Sequence, residues 1–146
     1  MSLKGVIDEI MRYKDERGKD ELIEELNDKF QYGVHQLDEL KEAIKRLLQH
    51  CVKEKDEVIR ESILNAVGNA LNNCDIDDTI DFTYIIEHID SFSVSNQSYI
   101  VGFLGYSYNE KYIQYLKDFN TNDETLKEAI DEALYELKYR INQKKW

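Results

Sequence analysis

The chain has 146 residues, 42% hydrophobic and 34% charged, with a net charge of −11. That length buries roughly 68% of the unfolded surface in one core, and the apolar share is too high for a disordered chain. No proline and only 6 glycines leave an all-β fold without turn punctuation, and the acidity disfavours a free duplex or a phospholipid surface as partner.

Apolar residues recur at spacings of three and four nearly from end to end, as amphipathic helices require. Leu3, Val6, Ile7, Ile10 and Met11 predict a first helix that stops at a charged turn containing Gly18. Leu22, Ile23, Leu26 and Phe30 predict a short second one, closed around Gly33. Leu37, Leu40, Ile44, Leu47, Leu48 and Cys51 mark a third. Asp56 starts a fourth, with Ile59, Ile63, Ala66, Val67 and Ala70 on one face. Phe82, Ile85, Ile86 and Ile89 predict a fifth, with Asp77, Asp78 and Thr79 near its start, where acidic side chains suit the dipole. Tyr99, Ile100, Phe103 and Leu104 predict a sixth, reached through the Ser/Asn-rich stretch Ser91 to Ser98. Tyr112, Ile113, Leu116 and Phe119 predict a seventh, beginning near Asn109. Asn122 or Asp123 caps the eighth, whose stripe is Leu126, Ala129, Ile130, Ala133, Leu134, Leu137 and Ile141. Short connections favour antiparallel neighbours, and the expected class is all-α.

One helix is written twice. Asp56 to Ala70, D-E-V-I-R-E-S-I-L-N-A-V-G-N-A, returns 67 residues later as Asp123 to Leu137, D-E-T-L-K-E-A-I-D-E-A-L-Y-E-L. D-E-L-I-E-E at Asp20 precedes the copy at Asp56 by 36 residues, and A-V-G at Ala66 precedes F-L-G at Phe103 by 37. The step from there to the last helix is 30. Periods of this length, each holding two helices, mark an α-solenoid whose hairpins bury one another's apolar faces.

The stretch D-E-V-I-R-E-S-I-L-N-A-V-G resembles the second helix of a HEAT repeat, and Phe103 to Leu134 is similar to a whole repeat. The resemblance covers Leu37 to Ile141 well and the first 35 residues poorly. It departs from the family in having no proline in the first helices and Lys127 in place of the arginine, and the middle repeat lacks the D-E-x-I-R opening. It implies a right-handed α-solenoid of about four antiparallel hairpins in a single domain. Residues 1–35 would be a degenerate repeat or cap, followed by repeats at 37–73, 79–106 and 109–142.

No catalytic or metal constellation emerges, so the expectation is a protein that is not an enzyme and has no cofactor. His50 and Cys51 are adjacent and point about 100° apart on a helix, poor geometry for one ion. His35 and His88 have no Cys or His at i+3 or i+4. Phosphate-binding glycine motifs and a nucleophile elbow are missing. The two cysteines, Cys51 and Cys74, suit a reducing cytoplasm as small apolar residues, and no run resembles a secretory or membrane-spanning segment.

A surface remains. The resemblance implies that second helices line the concave side, and register then presents Glu61, Leu64, Asn65 and Gly68 on the fourth helix. The matching positions are Ser98, Val101, Gly102 and Gly105 on the sixth and Glu128, Asp131, Glu132 and Tyr135 on the eighth. Leu64 and Val101 are expected to be exposed aliphatics. Gly102 and Gly105 either admit another backbone or permit close helix packing. Seven of the ten tyrosines fall from Tyr99 onward. Tyr99 and Tyr112 sit on apolar stripes, whereas Tyr106, Tyr108, Tyr135 and Tyr139 are candidates for contact with a partner. The basic C-terminal residues Lys138, Arg140, Lys144 and Lys145 suit the negative end of the last helix, and Trp146 caps the core or lies loose.

The reading is a cytoplasmic protein-binding module whose acidic concave face grips a basic protein, not nucleic acid or membrane. One concrete form is a bacterial immunity protein that neutralises a cognate toxin. The alternatives are a self-associating structural subunit, or a HEAT-like lyase or DNA glycosylase. The last would want basic residues that the predicted stripe does not have.

Overall fold

The structure is a computed structural model that describes residues 2–13, 15–74 and 80–144, without the side chains of Glu16 and Lys144. Asp77, Asp78, Thr79, Lys145 and Trp146 lie outside the described residues. Among the described residues the elements are α1 (Leu3–Arg12), α2 (Glu16–Tyr32), α3 (Leu37–Lys53), α4 (Glu57–Asn73), α5 (Thr83–Glu87), a 3₁₀ turn (Ile89–Ser91), α6 (Val94–Leu104), α7 (Lys111–Asp118) and α8 (Glu124–Lys144), with no strand. The protein is all-α. It divides into two compact units, Met1–Ile76 and Asp77–Trp146.

In the N-terminal unit α2 packs on α4 and α1 on α3. Ser62 donates to Asp20 at 3.4 Å and Asn69 to Asn27 at 2.8 Å, both pairs 42 residues apart. Further along, the Cys74 thiol donates to the Phe30 carbonyl. A near-constant separation means that α2 and α4 run in the same direction. Ile23, Leu26 and Phe30 of α2 and Ile59, Ile63, Ala66, Val67 and Ala70 of α4 are buried. Arg46 of α3 reaches Asp8 of α1 at 2.6 Å, and that guanidinium bond, largest among the causes, holds the Asp8 carboxyl below its usual 3.8.

α3 ends where Arg60 of α4 closes it. The last carbonyls of a helix have no partner inside it. Here the Arg60 side chain, 5% exposed, donates to the carbonyls of Cys51 (3.2 Å), Glu54 (2.5 Å) and Val52 (3.0 Å), and to the Glu57 carboxylate (2.9 Å). Beside it Cys51 is fully buried, its thiol donating to the Arg60 carbonyl, and burial pushes the thiol pKa up to about 12.

Lys19 is buried between Glu54 (3.3 Å) and His50, where Nζ lies 3.4 Å from Nε2. Burial first, and then the Lys19 charge, lowers the His50 pKa from 6.5. Above 6.5 the imidazole is neutral in both folded and unfolded chains. Below it the unfolded chain takes up the proton first, so stability is lost as pH falls from 6.5 toward the folded value. The thermal stability of the N-terminal unit should therefore fall on acidification from 6.5, and His50→Gln should flatten that slope. The loss from Asp8 begins only near its unfolded value of 3.8 and should survive the substitution. An unchanged slope in His50→Gln would remove this assignment.

In the C-terminal unit α6 and α8 form the main pair, with α7 against α8. Phe82 meets the rings of Phe103 (6.1 Å) and Tyr112 (6.4 Å). The buried Tyr112 hydroxyl accepts from the Phe82 N–H (2.9 Å) and donates to Asp81 (3.3 Å), fixing α7 to the start of α5.

Three expected boundaries move. Gly18 is not a turn: it lies inside α2, which is capped by Asp15, and a Cβ there would stand 2.5 Å from the Tyr13 ring. That glycine lies against the ring of the exposed Tyr13 within a continuous helix and makes no chain reversal. The second helix is accordingly long, and its cap precedes that of α4, Asp56, by 41 residues, not 36. The Ser/Asn-rich stretch becomes helix from Val94, because Ser93 caps it by accepting from the Asn96 N–H. The fifth helix is only five residues before the 3₁₀ turn. The other offsets hold: caps Asp56, Ser93 and Asp123 follow at 37 and 30 residues.

Candidate functional site

The residues expected on a partner-binding face separate by unit. On α4, Glu61 and Asn65 are exposed and Gly68 is half-buried, but Leu64 is 0% exposed. On α6, Ser98 and Gly102 are half-buried, and Val101 is 0% exposed. The expectation that Leu64 and Val101 are exposed aliphatics is therefore corrected. The buried arc of α4 runs through Ile59, Arg60, Ile63, Leu64, Ala66, Val67 and Ala70, wider than one amphipathic stripe, and an aliphatic at its edge turns inward. On α8, Glu128, Asp131 and Glu132 are exposed, with Tyr135 at 72% and Tyr139 at 53%.

The C-terminal unit brings several of these together. Ser98, Gly102 and Tyr106 recur every four residues along one side of α6 and its extension, and face α8. With Ala129, Asp131, Glu132, Ala133, Tyr135 and Glu136 they line a groove of about 660 Å³. Glu128 and Tyr139 lie on the same helix but outside the lining, as does Tyr108. Ser98 also borders a neighbouring groove of about 580 Å³ with Val94, Ser95, Tyr99, Asp123 and Thr125.

The two glycines differ. At Gly105 a Cβ would meet Glu136 Cβ and the Gly102 carbonyl at 3.3 Å and the Ala133 carbonyl at 3.4 Å, so close packing of α6 on α8 explains it. At Gly102 a Cβ would meet nothing within 4 Å. Packing leaves Gly102 unexplained, and its missing side chain is the floor of the groove.

One wall is braced from within. The Arg140 guanidinium lies 4.6 Å from the Tyr106 ring centre and 5.6 Å from that of Tyr108. It donates to Glu136 at 2.7 Å and to the Tyr108 hydroxyl at 3.3 Å. Burial opposes the Arg140 charge, but the bonds to Glu136 and Tyr108 outweigh it and raise the pKa. Tyr108 has φ 56, a left-handed backbone that costs a non-glycine residue about 1 kcal/mol. Its neighbour Ser107 is buried and donates to the Leu104 carbonyl while accepting from the Asn109 N–H, which sets the reversal. The sequence gives Arg140 only a place at the negative end of a helix. Its i+4 spacing from Glu136 is legible there, whereas its stacking on tyrosines some 32 residues earlier comes from the fold.

Asp131 and Glu132 behave differently from Glu136. Among the described residues neither has a cation or hydrogen-bond donor against its carboxylate, and no cation lies over the Tyr135 ring. The groove thus combines two open carboxylates, two tyrosines and a glycine floor, and its carboxylates can accept hydrogen bonds from a cationic group. Among the described residues no three His, Cys, Asp or Glu side chains are placed to hold a metal ion, and no helix is long and apolar enough to cross a membrane. The all-helical chain with its acidic, tyrosine-walled groove stands apart in comparison: no family model, curated protein or solved structure matches it.

Proposed function

We propose that this chain is a non-catalytic binding module, built as a HEAT-like α-solenoid of antiparallel hairpins, that grips a basic protein through the acidic, tyrosine-bearing face of its C-terminal unit. The observation that carries the reading is the open pair Asp131 and Glu132 beside Tyr135 and Tyr106 in one groove. Carboxylates that meet no cation among the described residues can form charge-assisted bonds to a partner's Lys or Arg, and an overall charge of −11 steers such a partner in. The same charge repels nucleic acid and anionic lipid. The solenoid reading rests on the same-direction packing of α2 with α4 and on caps that recur at Asp56, Ser93 and Asp123. A bacterial immunity protein, working in the cytoplasm by masking a basic toxin, is the concrete form of this function.

The test is capture from the native lysate with the wild type and with the triple variant Glu128→Lys, Asp131→Lys, Glu132→Lys. A basic protein should be retained by the first, released by raised salt and lost from the second. Equal retention by both, or none by the wild type, rejects the reading.

A further inference from the structure

The α6–α8 groove has more specificity than an acidic surface needs. Resting on the reading above, we infer that it is an arginine socket: a partner's exposed arginine enters over Gly102, its guanidinium stacked on a tyrosine and paired with Asp131 or Glu132.

Three observations carry this. First, Gly102 is unconstrained by packing, yet sits between Ser98 and Tyr106 on the groove floor, so its missing side chain makes room for something outside the chain. Second, the chain already contains the arrangement once. Arg140 lies 4.6 Å from the Tyr106 ring and 2.7 Å from Glu136, which sits four residues before it on α8. Third, a carboxylate and a tyrosine come together again, this time both on α8 and beginning about one turn before Glu136. Tyr135 stands four residues after Asp131 and three after Glu132, on one side of the helix, and the ring is 72% exposed. The chain supplies the arginine for the first arrangement and none of its described cations for the second.

The chemistry selects arginine over lysine. A guanidinium is planar, stacks on an aromatic face and bonds a carboxylate through two parallel N–H groups. An ammonium is a strongly hydrated point charge that gains from the acids but little from the ring geometry. A groove of about 660 Å³ is large enough for such a side chain with its flanking backbone. The adjoining groove past Ser98 gives the segment a path along α6.

The experiment is fluorescence anisotropy with labelled hexa-arginine and hexa-lysine at low salt, using the full chain. Hexa-arginine should bind about tenfold tighter than hexa-lysine. Gly102→Phe, which leaves net charge unchanged, should weaken hexa-arginine about tenfold while hexa-lysine changes little. Tyr135→Ala should reduce the preference between the peptides. If Gly102→Phe does not fold by circular dichroism, the isosteric pair Asp131→Asn and Glu132→Gln at the exposed surface replaces it: both peptides should weaken, hexa-arginine the more, and an unchanged preference between them rejects the socket. Should the Glu128, Asp131, Glu132 charge reversal abolish binding while both peptides bind alike and Gly102→Phe has no effect, the socket is rejected and the acidic-face reading stands. Absence of binding by either peptide rejects both. Self-association in sedimentation that Gly102→Phe disrupts would make a second copy the occupant and overturn the proposal.

Discussion

Arg60→Ala should destabilise the N-terminal unit by about 3–5 kcal/mol, read as a fall in urea midpoint at unchanged slope. The estimate comes from what the side chain leaves behind. Three carbonyls at the end of α3 lose a charged donor, two of them belonging to Cys51 and Val52, and the alanine cannot carry the bond to Glu57. Each buried acceptor left unmet costs about 1–3 kcal/mol, and water reaches Glu54 more easily than Cys51. Arg60→Lys should recover only part of the loss, because one ammonium cannot follow three diverging carbonyls as the guanidinium fork does. Hydrogen exchange should show the loss concentrated in the last turn of α3 and the first of α4. A loss below about 1 kcal/mol would mean that solvent replaces Arg60 without difficulty.

The second large effect concerns two residues that helical register places on the surface. Leu64→Asp and Val101→Asp should each cost about 4 kcal/mol or more, since both side chains are completely buried and a carboxylate there loses its hydration. The equivalent position on α8, Asp131, is exposed, and Asp131→Leu should leave stability within about 0.5 kcal/mol. Soluble expression and thermal unfolding separate the cases at once. Near-native stability in either aspartate variant would restore the register reading of that helix.

Those two residues show where a single sequence stops being informative. Periodicity identified the helices because their stripes are regular, as in Leu40, Ile44, Leu47 and Cys51, all buried. The caps Asp56 and Asp123 were legible as short acids ahead of apolar runs. Gly18 and the serines after Ser91 misled, because the same residue types serve turns, helix caps and close contacts, and only the neighbour decides. For Gly18 that neighbour is the Tyr13 ring. Register along α4 and α6 located the outward direction but not the width of the buried arc, which depends on how many sides of a helix are covered. On α8 the arc is narrow, and Asp131, Glu132 and Tyr135 lie where the spacing put them. The groove itself could not be read, because Tyr106 and Glu136 meet only after α6 and α8 pack.

Cys51 has a use that follows from its surroundings. Its thiol, held near a pKa of about 12 and fully buried, is inert in the folded chain, whereas an unfolded cysteine ionises near its ordinary value of 9.0. The alkylation rate of this one sulfur is therefore a clock for the opening of α3 against α4, built into the native chain. With Cys74 removed, mass spectrometry of the trapped thiol would time that event without any added probe.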